Sequence, residues 1–273
     1  MINALEILVH KYLHIPYRLH VHVDQNVKSA RATVLLLHGM GNSSASWDEV
    51  VRKLPNDIRV ISVDLLGFGK SPRPHWLKYN IDIQAKSVIA TLLRRNIRKP
   101  LIIVGHSMGS LTAIEITKRY PLLVKSLILC SPPLYSEEEK KSILPSQGQL
   151  LKDFYRLILK NPASVVSVVP MAIRLRVVGK SFDVTRETVS VYLAALESSI
   201  LHQSSLKDLI RLKKPVQLLH GMLDPVVVKK NLDEAVAANT RIRLSQVVAG
   251  HELMGAYIPA VVKAVKQAVE VTK

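Results

Sequence analysis

Six short apolar runs alternate with stretches of helical periodicity along this chain, and that alternation limits the fold more than any other feature. The runs are TVLLLH from Thr33, RVISVD from Arg59, PLIIVG from Pro100, VKSLILC from Val124, PVQLLHG from Pro215 and RIRLSQVV from Arg241. Near-continuous apolar runs of this length suit strands covered on both faces, as in parallel sheets. Between them, IDIQAKSVIATLLRRN places Ile81, Ala85, Val88, Ile89 and Leu92 on one helical face, and SLTAIEITKRYP forms a helix stopped by Pro121. Strand and helix in turn predict an α/β chain with a doubly wound, mostly parallel sheet. The segment PYRLHVHVDQ from Pro16 alternates apolar and polar residues, which predicts a half-exposed edge strand. The residues before it read as an amphipathic helix.

The rhythm breaks once. From Pro132 to Leu206 no strand pattern occurs. The segment holds QLLKDFYRLILK, a Val-rich stretch after Asn161-Pro162, and DVTRETVSVYLAALESSILHQ, with Val189, Tyr192, Leu193, Leu196 and Ile200 at helical spacing. The division expected is an α/β core from residues 1–131 and 207–273, with 132–206 a helical cap, or lid, over an apolar pocket. A chain of 273 residues is long enough to bury one such core.

Composition narrows the classes. Hydrophobic residues make 48% and charged residues 22%, ordinary values for a folded domain. The formal net charge of +17 raises nucleic acid or an anionic membrane as partners. Lys and Arg are scattered in ones and twos, however, and aromatic residues make only 5%, too few for base stacking. A generally basic surface is expected, with no nucleic-acid partner and weak association with anionic surfaces. The charges of 132–206 nearly cancel, so the excess lies on the core. Cys130 is the sole cysteine, which excludes an internal disulfide and a cysteine-rich metal site. The first residues lack the basic start, clean apolar stretch and small-residue cleavage site of a secretory signal, and no apolar run is long enough to span a bilayer. A cytoplasmic protein is expected, as monomer or homodimer.

Chemistry concentrates at strand ends. Gly105-His106-Ser107-Met108-Gly109 is G-x-S-x-G, between an apolar strand and a helical pattern. That is the setting of a nucleophile elbow, where glycines two residues either side let strand and helix approach. A serine hydroxyl needs a base, and the base needs a group that fixes its tautomer. GMLDPVV places Asp224 just beyond one strand and VVAGHEL places His251 just beyond the last, at the ends where open α/β sheets build their sites. Ser107, Asp224 and His251 are therefore the expected catalytic residues. His106 lies next to Ser107 in sequence, so the turn directs its ring away from the hydroxyl and into the packing beneath the elbow. His38, His220, His75 and the N-terminal histidines lack the order and flanks of His251. His38-Gly39-Met40-Gly41 forms a small-residue turn after the first buried strand, and the N–H groups of Met40 and Met108 are the expected oxyanion donors. Gly39 and His106 are the residues expected nearest a bound substrate.

Two partial matches fail. Gly69-Lys70-Ser71 lacks the first P-loop glycine, since Asp64 stands there, and Pro72 blocks the helix start. Pro72 also replaces the third glycine of a dinucleotide fingerprint. No metal-ligand spacing occurs, and no cofactor or metal is expected.

Taken in order, HGMG, DLLGFGKSPRP, GHSMG, GMLDPVV and GHEL resemble the α/β-hydrolase superfamily, in its capped branch of esterases, lipases and carbon-carbon hydrolases. The resemblance covers nearly the whole chain, the cap least. It implies Ser107 as nucleophile, Asp224 as orienting acid and His251 as base. A serine at the elbow sets the chain apart from the dehalogenase and epoxide-hydrolase branches, which carry aspartate there. Ring-cleaving carbon-carbon hydrolases often carry asparagine at the position of His106, which favours ester hydrolysis. The expected activity is that of a serine carboxylesterase on short or medium acyl, or aryl, esters. The alternatives are carbon-carbon bond or lactone hydrolysis by the same groups, with Arg174 or Arg176 holding a carboxylate, or a slow-turnover ligand sensor.

Overall fold

The structure, a computed structural model, describes residues 4–97, 100–136, 160–175, 178–201 and 203–270. Its centre is a seven-stranded sheet of β1 (Val21–Gln25), β2 (Thr33–Leu37), β3 (Arg59–Val63), β4 (Leu101–His106), β5 (Val124–Cys130), β6 (Val216–Gly221) and β7 (Ile242–Val247). The strands lie in the order β1-β3-β2-β4-β5-β6-β7. All neighbours are parallel except β1, which runs antiparallel to β3 at one edge.

Alternate residues of the apolar runs feed two cores. Leu35, Leu37, Ile61, Val63, Ile103, Leu127 and Leu129 face one layer, and Val34, Leu36, Val60, Ile102, Val104 and Ile128 face the other. Because both faces are covered, no polar alternation survives in the central strands, which is why their sequences read as unbroken apolar runs. The first layer holds α2 (Ile81–Arg94), α3 (Met108–Arg119) and the later α6 (Ser205–Arg211) and α7 (Lys229–Ala238). The second holds α1 (Asp48–Lys53) and α8 (Tyr257–Glu270), which pack on each other. Helix α2 starts where the Asn80 side-chain oxygen accepts the Ile83 N–H at 2.9 Å. In α8 the apolar stripe Tyr257, Ile258, Val261, Val262, Val265 and Val269 recurs at helical spacing and is buried.

The strand order reverses between β2 and β4, since β3 lies to one side of β2 and β4 to the other. In open α/β sheets that switch point opens a crevice at the carboxyl ends of the strands. The ends of β2 and β4 carry Met40 and Ser107 respectively, so the topology alone puts these residues together.

Between β5 and β6 the described residues contain no strand, matching the break in the sequence. Helix α4 (Pro162–Arg174) carries Pro170 inside it and exposes Val168 and Met171. Helix α5 (Val189–Ala195) continues into a wider turn, Leu196–Leu201, and buries Val189, Val191, Tyr192 and Ala195 against the first core. The Ser199 hydroxyl donates to the Tyr79 carbonyl at 2.6 Å, which seats this turn on the loop before α2. Of the helical pattern QLLKDFYRLILK, all but Lys160 lies outside the described residues, as does Arg176. Among the described residues no helix is long and apolar enough to cross a membrane.

Candidate active site

Strand β4 passes into helix α3 through Ser107, whose backbone sits at φ 50° and ψ −119°. A non-glycine residue rarely takes a positive φ, and such strain persists only where the surroundings over-determine it. The two glycines of the motif supply that constraint. A Cβ on Gly105 would stand 2.5 Å from the Gly109 carbonyl oxygen, and one on Gly109 would stand 2.2 Å from the Leu37 carbonyl oxygen. Strand, helix and the end of β2 thus meet at backbone contact distance. The Ser107 N–H donates to the Cys130 carbonyl at 2.9 Å, tying the elbow to β5 as well.

Asp224 and His251 arrive on two loops that lie side by side beyond β6 and β7. The Met222 N–H donates to Val247 at 2.9 Å and the Leu223 N–H to Ala249 at 3.0 Å. Gly221 lets the loops cross, since a Cβ there would stand 2.3 Å from the Gly250 carbonyl oxygen. The result places His251 Nε2 3.0 Å from Ser107 Oγ and His251 Nδ1 2.9 Å from Asp224 Oδ2. An ionised carboxylate only accepts, so Nδ1 carries the proton toward Asp224 and Nε2 is left to accept from the serine hydroxyl. Ser107 and Asp224 are buried, and His251 keeps a little exposure.

Asp224 is held from both sides. Its Oδ1 accepts the N–H groups of Val226 at 2.8 Å and Val227 at 3.2 Å, and its Oδ2 accepts the Ser131 hydroxyl at 2.6 Å. Burial pushes its pKa up, but the hydrogen bond and charge of His251, with Ser131 and Val226, outweigh this and bring it down to about 2. For His251 burial favours the neutral ring, yet the bond to and charge of Asp224, with Glu252 adding to them, leave its pKa raised. Ser131 also lies 2.6 Å from the Tyr257 hydroxyl. Since Ser131 gives its one proton to Asp224, Tyr257 is the donor to Ser131.

The turn after β2 lies directly against the elbow. A Cβ on Gly39 would stand 2.7 Å from His106 Nδ1 and 3.2 Å from Ser107 Cβ. His38 braces this turn: its Nε2 accepts the Leu65 N–H at 2.8 Å, so its Nδ1–H donates to the Gly39 carbonyl at 2.7 Å. Burial lowers the His38 pKa to about 4, which keeps the ring neutral and this tautomer fixed. Among the described residues the N–H groups of Met40 and Met108 donate to no carbonyl. His106 is buried, and its Nε2–H donates to the His251 carbonyl at 2.8 Å. Its ring thereby ties the elbow to the loop that carries His251.

Ser107, His251, Asp224, Gly39 and Met40 are thus brought together, with Met108 at the first turn of α3. Arg174 lies exposed at the end of α4. Ser131, Tyr257, Asn42 and Glu252 enter this neighbourhood without having been singled out in the sequence. None of the four sits in a local sequence pattern that marks it. Among the described residues no group of His, Cys, Asp or Glu is arranged to hold a metal ion. The arrangement is suited to moving a proton from a serine hydroxyl to a neutral imidazole next to a buried carboxylate.

Comparison with known proteins agrees with the fold. Residues 32–167 match the family model described as alpha/beta hydrolase fold. The Arabidopsis thaliana protein named probable lysophospholipase BODYGUARD 2 is 34% identical over 127 residues, which are 44% of this chain and 26% of that one. The matched stretches span about a quarter of such relatives. Among solved structures, bromoperoxidase from Bacillus anthracis superposes with a TM-score of 0.75 at 18% identity, covering 92% of this chain and 96% of that one. An esterase from Exiguobacterium antarcticum gives 0.72 at 17% identity, covering 92% and 95%. At such identities the likeness is one of fold. With the sheet, the elbow at its switch point and the family match in agreement, this chain belongs to the α/β-hydrolase superfamily.

Proposed function

We propose that this hydrolase cleaves carboxylic esters through an acyl-serine intermediate. One observation carries the reading, the continuous path from Ser107 Oγ through His251 to the Asp224 carboxylate at 3.0 and 2.9 Å. Ser107 Oγ attacks the ester carbonyl carbon as its proton passes to His251 Nε2. The carbonyl oxygen becomes an oxyanion, which the N–H groups of Met40 and Met108 receive. When the intermediate collapses, the carbon–oxygen bond to the alcohol breaks and His251 protonates the departing oxygen. Water, deprotonated by His251, then attacks the acyl carbon, the bond from that carbon to Ser107 Oγ breaks, and His251 returns the proton to Oγ as the acid leaves. Asp224 holds the Nδ1–H and offsets the charge of the imidazolium in both halves.

Residues 132–206 serve as the cap, and their apolar side chains point to an apolar acyl or aryl group. Phe182 lies over Gly41 and meets the Tyr192 ring edge-on at 6.2 Å, forming a wall beside the oxyanion turn. The words lysophospholipase and esterase in the descriptions of the relatives agree with an ester as the bond cleaved. The test is turnover of p-nitrophenyl esters of graded acyl length by purified protein, beside a panel of acidic diketones and lactones. Ester turnover that Ser107→Ala abolishes is the expected result. Full activity of Ser107→Ala, or turnover confined to the diketones, overturns the reading.

A further inference from the structure

Three separate pieces of the site converge on one residue that the mechanism above does not use, two on its side chain and one on its backbone N–H. Asn42 is buried, at 3% exposure, just past the oxyanion turn. Its own N–H closes that turn by donating to the Gly39 carbonyl at 3.2 Å. Its side-chain Nδ2 donates to Glu252 Oε2 at 3.2 Å, next in sequence to His251. Its Oδ1 accepts the hydroxyl of Ser181 at 2.8 Å, from the segment between α4 and α5. The assignment of the amide is forced, because a carboxylate only accepts and so must face the NH₂ group.

The segment around Ser181 grips the same turn a second time. The Asp183 N–H donates to the Gly41 carbonyl at 2.7 Å. Gly41 has φ +76°, and a Cβ there would stand 2.5 Å from the Phe182 ring. Glycine at this point therefore serves both the turn and the aromatic ring laid on it. A short strap, Gly179–Asp183, is thus bonded to the backbone that carries the Met40 N–H and, through Asn42, to the loop that carries the base.

We propose that Asn42 is a positioning residue that joins this strap to both the oxyanion turn and the His251 loop, so that seating the strap sets donor and base together. The inference rests on the ester-hydrolase reading, since it needs an oxyanion turn and a base to position. Asparagine suits the place because it offers a donor to Glu252 and an acceptor to Ser181 in one short planar group. Aspartate would face Glu252 with like charge, and alanine would leave both partners unmatched. The charged and titratable groups around His251 are Asp224 from the β6 loop, His106 from β4 and Glu252 from its own loop, with Tyr192 of α5 facing Glu252. Glu252 adds to the rise of the His251 pKa, so releasing or neutralising it moves the acid limb of the rate profile to lower pH.

The test is a mutant cycle on kcat with a p-nitrophenyl ester. Ser181 and Glu252 are linked through Asn42, so Ser181→Ala and Glu252→Gln interact only if that link is functional. Each single change is expected to lower kcat by about fivefold with KM nearly unchanged, as expected for loss of a positioning hydrogen bond. The double variant is expected to lose at least about threefold less than the product of the two, the size of coupling seen between residues of one network. Asn42→Asp is expected to lose more than either single and, by adding a carboxylate near His251 where Glu252→Gln removes one, to move the acid limb to higher pH instead of lower. Losses that multiply, or that appear only in Tm and KM with an unmoved pH profile, overturn the inference. If Asn42→Asp does not fold, the Ser181 and Glu252 cycle decides alone. Activity that survives Ser107→Ala rejects the ester-hydrolase reading instead, and multiplicative losses in a Ser107-dependent enzyme reject only the link.

Discussion

Ser107 and Ser131 stand at the carboxyl ends of adjacent strands, β4 and β5, both buried and both at positive φ, 50° and 46°. Each turns its hydroxyl toward the same pair of partners from opposite ends, Ser107 to His251 Nε2 and Ser131 to Asp224 Oδ2. The backbone device is shared and the neighbours are not. Ser107 is flanked two residues away by Gly105 and Gly109, while Ser131 has Leu129 and Pro133 at those places. After Ser107 a helix begins at once and crosses the end of β2, so any Cβ at the flanks would strike backbone. After Ser131 no helix begins in residues 132–136, so the chain makes no immediate strand-to-helix turn there. The glycine signature thus goes with the immediate strand-to-helix turn and not with the positive φ itself.

The sharpest way to break the comparison is to remove the hydroxyl whose partner is His251, the proposed base. Ser107→Ala is expected to lower kcat by about 10⁶-fold, the scale seen when a triad nucleophile is lost, with Tm nearly unchanged. Asp224→Asn is expected to cost about 10⁴-fold by leaving His251 in the wrong tautomer. It also carries a pH signature. Asp224 raises the His251 pKa, and the proposed mechanism uses the neutral ring, so activity is expected to fall as pH drops through that raised value. Removing the Asp224 charge moves this acid limb to lower pH. Asp224 itself stays ionised down to about pH 2, so the limb reports His251 alone. A residual rate profile for Asp224→Asn with an unmoved acid limb contradicts this assignment.

The flanking glycines give the next test, on stability rather than rate. Gly109→Ala is expected to destabilise the fold by about 3 kcal/mol or more, the range for overpacking against backbone that cannot move aside. Denaturant unfolding measures it, and a loss under about 1 kcal/mol shows that the elbow relaxes more than the contacts imply.

These contrasts also explain how much was legible in the sequence. The five inner strands, β2 to β6, were readable because burial on both faces removes polar alternation, whereas β7, expected to be covered on both faces, lies at the sheet edge with only Ile242 buried. The elbow, Asp224 and His251 were readable because glycine, chain order and strand ends are local marks. Ser131 and Tyr257 were not, because their roles exist only once β5 lies beside β4 and α8 lies behind both, and serine and tyrosine at those positions look like ordinary packing. Asn42 and Glu252 are 210 positions apart, and neither sits in a pattern that requires the other. His106 was half readable. Its removal from the base role follows from its neighbour's turn, whereas its bond to the His251 carbonyl follows only from how the last loop folds back.

The smaller predictions test whether the second serine acts through Asp224 or merely fills space. Ser131→Ala removes one of the groups holding Asp224 but leaves the Val226 and Val227 N–H groups in place. A loss of about tenfold in kcat is expected, as for other partners that orient a reacting group from one bond away. Because the Asp224 pKa starts near 2, its rise on losing Ser131 leaves it ionised at working pH. The acid limb therefore stays where it is while kcat falls, the opposite pairing to Asp224→Asn. Tyr257→Phe reaches one bond further, removing the donor to Ser131 and a longer contact to the Leu219 carbonyl at 3.4 Å. The Ser131 proton still belongs to Asp224, so the expected loss is about threefold, on the order of one net hydrogen bond. Tyr257→Phe added to Ser131→Ala is expected to cost nothing more in kcat. If the double variant loses a further factor equal to that of Tyr257→Phe alone, Tyr257 acts through the packing of α8 and not through Ser131.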